Sequence, residues 1–370
     1  MKVLYFTRDY TPHDHRFLTA LAESEHEIFF LRLERRGHQQ EDREPPANVQ
    51  IVQWVGGHRP AGWFDGPRLL RGLRGVIRRL RPDLIHAGPI HSVALLAALS
   101  GFRPLVTMSW GSDLLLDADK NAGYRCTTRY VLSHSDVLVG DCDTVKRKAV
   151  EYGMPDAHIV TFPWGVDLEH FSPGESRLRA QQGWQNAFVL LHTRTWAWLY
   201  GVDVFAKAFL QAASEIHELH LFMLGGGPLA QQLRGIFSGG GVQGRVHFAG
   251  QVSQAELPQY YRAADLYISA SHSDGSSVSL MEALACGTPV IVSDHASNAE
   301  WVRQGVQGWC FPDGDVDALA QAILHAYEHQ LQLPEMGQAA RQQAEQRANW
   351  ARNFENLLRA YDLAVKHQDG

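Results

Sequence analysis

Short apolar runs alternate along this chain with segments whose apolar positions recur at helical spacing. The opening "KVLYFTRDY" reads as a strand, and in "RFLTALAESEHEIFFLRL" Phe17, Leu18, Leu21 and Ala22 mark a helix before a second apolar run. The same alternation returns in "PDLIHAG" then "HSVALLAALSG", in "PLVTMSW", and in "DVLVGD" followed by "TVKRKAVEYG". Strands alternating with helices imply a mostly parallel sheet covered on both faces. Turn formers in "FPWGVDLEHFSPGES" (162–176) interrupt the pattern. It then restarts with "FVLLHTR", "GVDVFAKAFLQAAS", "LHLFMLGGG", "PLAQQLRGIF", "RVHFAG", "QAELPQYYRAA" and "DLYISAS".

Two α/β domains of the doubly wound kind are therefore expected, over 1–165 and 166–350. A chain of 370 residues also exceeds the usual size of a single core. A terminal helix over 351–370 follows, with an apolar stripe at Trp350, Phe354, Leu357, Leu358 and Tyr361 that suits docking on a domain surface, a return to the N-terminal domain included. Ligands of open α/β sheets bind at the carboxyl ends of strands, so the expected site is a cleft between the two domains.

Composition adds exclusions. Hydrophobic residues at 45% and charged residues at 20% describe an ordinary globular chain. Four cysteines without a CxxC pair suggest neither a disulfide framework nor a zinc site, and a reducing cytoplasm is the expected compartment. The first apolar run is too short for a signal peptide, and no window approaches the roughly 20 apolar residues of a membrane span. The net charge of −6 makes nucleic acid an unexpected partner. Arginines do cluster in "PRLLRGLRGVIRRLRP", where Leu69, Leu70, Leu73, Val76, Ile77 and Leu80 share one helical face. Two readings remain open for 68–81: a surface helix with solvated arginines, or peripheral contact with an anionic membrane.

The chemistry concentrates in "SHSDGSSVSLMEALACGTPVIVSD", 271–294. Glu282 sits in a short helix signal, with Ser276, Ser277 or Ser279 as N-cap candidates, Cys286 closing it and Gly287 beyond. Its neighbours are apolar on every side, and a buried carboxylate needs partners. One reading is a capping box, Ser279-x-x-Glu282. The other is a carboxylate accepting hydrogen bonds from a ligand diol, which the loop "SDGSS" favours by offering N–H groups to a phosphate, with Asp274 eight residues ahead at the strand end.

This stretch resembles the signature of the retaining, nucleotide-sugar-dependent glycosyltransferases of carbohydrate-active family GT4, which have two Rossmann-like domains facing each other across a cleft, the GT-B fold. Asp274, Glu282 and "EALACGTPVIVSD" carry the resemblance, supported by "VTFPWGVDLEHFSP", "LFMLGGGP", "VHFAGQV" and "ADLYISAS". The resemblance implies that Glu282 holds the ribose hydroxyls, that Gly275, Ser276, Ser277, Val278 and Ser279 present backbone donors to the diphosphate and sugar, and that Asp274 contacts the sugar. Arg194 of "HTRTW" would neutralise the leaving diphosphate, the backbone at Val246, His247 and Phe248 would receive the base, and Gly225 would lie on the donor side. In the N-terminal domain it points to Trp110, Gly111 and Asp113 of "SWGSD", and to the "PHDHR" loop with Asp14, His15 and Arg16. Trp63 and Phe64 join that loop as acceptor-side residues.

No cofactor or metal is implied, only a nucleotide sugar as donor and a glycan or lipid-linked acceptor. Four positions depart from the family pattern: Asp274 replaces Glu, Tyr200 replaces Lys, Trp110 replaces His, and "PHDHR" replaces a glycine pair. They motivate an alternative, a catalytically silent module that binds nucleotide or glycan beside an active enzyme. The turn "GGGP" (225–228) lacks the full G-x-G-x-x-G, which argues against a dinucleotide enzyme.

Overall fold

The computed structural model describes residues 1–33, 41, 43–57 and 62–367, with the side chain of Trp63 outside that description. The chain forms two compact units, Met1–Phe162 together with Phe354–Gly370, and Pro163–Asn353.

Among the described residues of the first unit are seven strands: β1 (Lys2–Thr7), β2 (Glu27–Arg32), β3 (Gln50–Ile51), β4 (Leu84–Gly88), β5 (Leu105–Met108), β6 (Val137–Gly140) and β7 (Ile159–Thr161). They lie in the order β3-β2-β1-β4-β5-β6-β7, every pairing parallel. The second unit has β8 (Phe188–His192), β9 (Leu219–Leu224), β10 (Val246–Gly250), β11 (Leu266–Ser269), β12 (Val290–Ser293) and β13 (Gly308–Phe311). Their order is β10-β9-β8-β11-β12-β13, again all parallel. Both are doubly wound sheets, in which the strand order reverses between β1 and β4 and between β8 and β11. Strands covered on both faces read as continuous apolar runs, and β4, β5, β6, β8, β11 and β12 are buried at every residue.

The final helix, Trp350–Lys366, joins the first unit from Phe354 onward. Its stripe buries Leu357, Ala360, Tyr361 and Ala364 completely. The Tyr361 hydroxyl lies 2.7 Å from Nδ1 of the buried His86 on β4, which ties the end of the chain to the middle of the sheet.

The arginine-rich helix is Gly66–Leu80. Leu69, Leu73 and Val76 face the core, and several arginines have structural work. Arg68 pairs with Asp65 and donates to the Val55 carbonyl, Arg74 donates to the Leu99 and Ser100 carbonyls, and Arg79 to that of Gln53.

Two interior histidines make stability depend on pH. Burial pushes His86 down to about 3, and burial, with the Arg194 charge adding to it, does the same for His192. In the unfolded chain each ring protonates near about pH 6.5. Between about 6.5 and 3 the unfolded state therefore binds more protons, and stability falls as pH falls, by up to about 1.4 kcal/mol per pH unit for each ring. The His86→Gln variant is expected to lose less of its thermal midpoint than the wild type between about pH 7 and pH 5. Equal losses would show that His86 is not a source of the acid sensitivity.

Candidate active site

In the second unit the site forms where the strand order reverses. β8 and β11 are paired through Leu190 and Leu191 with Leu266 and Tyr267, and beyond their carboxyl ends stand Arg194 and Asp274. Arg194 Nη2 donates to Asp274 Oδ2 at 2.5 Å, and Nη1 to Ser277 Oγ at 2.9 Å. The guanidinium lies over the Tyr200 ring, 4.3 Å from its centre. Its Nε is buried without a hydrogen-bond partner among the described residues. The Arg194 side chain is 12% exposed and that of Asp274 20%. Burial works against the arginine's charge, yet Asp274, then Tyr200, Tyr267 and Tyr261, hold its pKa above the ordinary value. Asp274 is also fixed through its backbone, because Ser297 Oγ donates to its carbonyl at 2.6 Å.

The helix Val278–Ala285 starts at this point. Ser277 is its N-cap and accepts from the Leu280 N–H, while Cys286 closes the helix ahead of Gly287 at φ +73°. With Ser277 as cap, Glu282 falls in the second turn, too far along for a capping box with Ser279. That reading of the sequence is corrected by the helix start. Glu282 Oε2 instead accepts from the hydroxyl of Tyr261 at 2.8 Å, inside a core of Leu280, Met281 and Leu284. The same hydroxyl lies 3.2 Å from the Ser279 carbonyl and 3.3 Å from Thr193 Oγ1. Ser276 turns its hydroxyl inward and accepts from Trp301 Nε1 at 3.2 Å. At the helix start the N–H groups of Val278 and Ser279 have no carbonyl four residues back within the helix, the usual condition of a helix N-terminus.

The remaining sequence candidates of this unit surround the neighbouring strand ends. Val246, His247 and Phe248 lie on β10, an outer strand of the sheet. His247 contacts Trp184 and Phe222, whereas Phe248 packs on Trp196 and Phe237. Gly225 donates its N–H to the Gly250 carbonyl at 2.6 Å. The turn it begins wraps Trp196 so closely that a Cβ on Gly227 would lie 2.5 Å from the Trp196 carbonyl oxygen.

In the first unit two expectations are corrected. "PHDHR" is not a loop: Thr11 caps the helix Pro12–Ala22, Pro12 sits in its first turn, and Asp14 completes a capping box. Asp14 accepts from the Thr11 N–H and hydroxyl and from the Tyr5 hydroxyl, and burial pushes its carboxyl up to about 6. Asp113 is likewise turned inward, accepting from the Ile90 N–H, the Ser109 hydroxyl and the Trp110 N–H. Both acids are 6% exposed or less, which makes them positioning groups rather than ligand-facing ones. His15 Nδ1 lies 2.6 Å from the Tyr10 hydroxyl, and Arg16 and Trp110 are half-buried, Trp110 against His13 and Phe17. Gly111 adopts φ +87° just ahead of the short helix Ser112–Leu115.

Residues 13–170 match the family model described as Glycosyltransferase Family 4, and residues 175–347 match that described as Glycosyl transferases group 1. The chain belongs to glycosyltransferase family 4. It is 24% identical over 274 residues to the GDP-mannose-dependent alpha-(1-6)-phosphatidylinositol monomannoside mannosyltransferase of Mycolicibacterium smegmatis, an alignment covering 71% of each chain. It is 27% identical over 248 residues to the D-inositol 3-phosphate glycosyltransferase of Geodermatophilus obscurus, covering 64% of this chain and 54% of that relative. Among solved structures, Anabaena HepE in complex with UDP matches with a TM-score of 0.78 at 18% identity, over 98% of this chain and 100% of the other. That likeness is one of fold, the GT-B pairing of two Rossmann-like domains.

In this glycosyltransferase, sequence reading missed Tyr261 as the partner of Glu282 and Tyr200 as the ring beneath Arg194. "QAELPQYYRAA" signals a helix, but nothing local says that its second tyrosine meets a carboxylate 21 positions later. Tyr261→Phe removes that donor, and the expected loss is about 1–3 kcal/mol of unfolding free energy in urea. A loss within about 0.5 kcal/mol would mean that the carboxylate is held by its other neighbours.

Proposed function

We propose that this glycosyltransferase moves a sugar from a nucleotide-diphosphate sugar to a glycan or lipid-linked acceptor, with retention at the anomeric carbon. The observation that carries this reading is the grouping of Arg194, Asp274, Ser277 and the start of the Val278–Ala285 helix at one strand reversal. In the transfer, the bond from the anomeric carbon to the phosphate oxygen breaks, the nucleoside diphosphate leaves with the electron pair, and the acceptor oxygen bonds to the carbon. The acceptor's proton passes to the departing phosphate oxygen. Negative charge grows on that phosphate, so fixed cations and N–H dipoles aimed at it supply most of the stabilisation.

Arg194 and the N–H groups of the loop from Gly275 to Ser279 take the diphosphate in this reading. The buried, unpartnered Nε–H of Arg194 supports it, since an unsatisfied donor is where a ligand oxygen still gains a bond. Asp274 accepts from sugar hydroxyls, Glu282 from the ribose diol, and the β10 edge at Val246, His247 and Phe248 lies beside the base, with Gly225 next to it. In the first unit Trp110, Gly111, His15 and Arg16 are the groups proposed to meet the sugar and acceptor. No metal is required by this scheme. The relatives are consistent with such a substrate class: the mycobacterial one is named for GDP-mannose and a phosphatidylinositol mannoside, and HepE is in complex with UDP.

Incubating wild type, Asp274→Ala and Glu282→Ala with UDP- and GDP-sugars and an acceptor panel tests the reading. Nucleotide release is expected to fall by about 100-fold or more in each variant. Wild-type nucleotide binding without turnover on any acceptor would favour a silent binding module.

The chain is further proposed to act at the cytoplasmic side of a membrane, held there peripherally. No described helix is long and apolar enough to cross one. Arg71, Arg74 and Arg78 line a groove of about 660 Å³ with Leu70 and Phe102, and Phe64, in the short turn Trp63–Asp65 that leads into this helix, is 99% exposed. Near an anionic surface each such arginine contributes about 1 kcal/mol. Arg71→Glu with Arg78→Glu is expected to abolish flotation with phosphatidylglycerol vesicles, and flotation of the wild type equal on neutral and anionic vesicles would refute the contact.

A further inference from the structure

Trp198 is unusual in the second unit, for 67% of this largest of side chains is exposed. It lies in the short turn Trp198–Tyr200 between β8 and the helix Val202–Glu215. Its neighbour in that turn, Tyr200, lies under the Arg194 guanidinium. Exposed aromatic rings are usually mobile, but this one is held. The His272 imidazole lies nearly parallel to it, with ring centres 4.7 Å apart and planes at 30°. The other side of His272 is fixed by Asp313, whose Oδ1 is 2.7 Å from Nδ1. The His272 N–H donates to the Leu199 carbonyl at 2.9 Å, joining the Trp198 turn to the loop that carries Asp274 two residues later.

The backbone beneath is equally constrained. Gly201 ends the turn at φ +56°, where a Cβ would come 1.9 Å from the Ala270 carbonyl oxygen, so the turn lies directly on the end of β11. An aromatic ring, two-thirds open to solvent yet fixed in orientation by a histidine–aspartate pair packed against it, has the features that recognise a sugar ring. The negative π-face of an indole attracts the C–H side of a pyranose, and the hydroxyls around the ring need polar partners at the edge. Little side-chain freedom is lost on binding, because packing has already fixed the indole.

We propose that Trp198, held by His272 and Asp313, is a stacking subsite for a pyranose ring of the acceptor. This rests on the glycosyl-transfer reading above and adds to it where the acceptor is held. The donor sugar belongs to Asp274 in that reading, whereas Trp198 lies outside the Arg194–Asp274 pair and on open surface. A ring stacked there is positioned by its apolar face, which many hexoses share. The subsite therefore selects a class, sugars with one uninterrupted C–H face, rather than a single sugar.

The test uses the full chain with methyl α-mannopyranoside, methyl α-glucopyranoside and a short mannose oligosaccharide as probes, in saturation-transfer NMR titrations, alongside calorimetry with UDP and GDP. The wild type is expected to bind at least one glycoside in the millimolar range. Trp198→Ala should weaken that binding about tenfold or more, His272→Ala should weaken it in the same direction, and Trp198→Phe should stay within about threefold. Thermal midpoints and nucleotide affinity are expected to be unchanged in the Trp198 variants, which separates the subsite from the fold. Glycoside binding unaltered in Trp198→Ala, or absent in a wild type that binds nucleotide, overturns the subsite alone. Glycoside binding lost on Trp198→Ala in a protein that binds neither nucleotide supports the subsite and overturns the donor reading.

Discussion

A guanidinium that is almost covered must find a counter-charge, and in this chain the Arg194–Asp274 pair meets that need across the ends of two strands. β8 and β11 are neighbours in the sheet, but the connections leaving them run in opposite directions, and only side chains beyond their carboxyl ends can close the gap. Much of the surrounding structure follows from that pair. Ser277 takes the second nitrogen of the arginine while capping the helix below, so the ion pair and the helix N-terminus are placed by one hydroxyl. Burial lowers the pKa of His192, at the end of β8, and the nearby Arg194 charge pushes it the same way. Breaking such a pair as Arg194–Asp274 by removing one partner is costly, because it leaves the other charge buried without compensation.

The first unit has the same strand reversal and treats it differently. Between β1 and β4 the acids point inward. Asp14 completes the cap of the helix that follows β1, and Asp113 gathers N–H and hydroxyl donors from the segments after β4 and β5. A carboxylate accepting several such bonds acts as a clamp on loop geometry, and both acids are buried. What these clamps position are Trp110 and Gly111, one beside a bonded N–H and the other at a positive φ. The same strand reversal thus carries two arrangements of opposite character, one built around a cation and a helix start, the other around internally satisfied acids.

The sequence made the sheets legible because parallel strands are continuous apolar runs, and "PDLIHAG", "FVLLHTR" and "DLYISAS" each correspond to a buried strand. Asp274 was legible as a candidate because it stands just beyond such a run, whereas Arg194 came only with the family resemblance. Register was harder to read. Several serines precede Glu282, and choosing Ser277 over Ser279 depends on Arg194, 83 residues away, which no local pattern reveals. The start of the helix Pro12–Ala22 was in principle visible as Thr11-Pro12-His13-Asp14, a T-x-x-D box with proline in the first turn, but a histidine-rich stretch without apolar residues reads as a loop when periodicity is the guide. Tyr261 was invisible for a different reason, since its importance is a contact and not a pattern.

Tyr200, where the family resemblance has a lysine, shows how a substitution can keep a site's charge in place while changing what it offers. An aromatic face beneath a guanidinium stabilises the cation by about 1–2 kcal/mol without adding positive charge. With Asp274 opposite, Arg194 is locally neutralised, so under the proposed function an incoming diphosphate would meet a weaker Coulomb field than two free cations would create. In that proposal more of its binding would fall to the N–H groups at the start of the Val278–Ala285 helix, whose dipoles are fixed in the fold and act only at short range. Salt screens interactions at contact far less than those acting over a Debye length of about 8–10 Å, so under the proposed function the tyrosine would shift anion recognition from long-range attraction toward short-range fit.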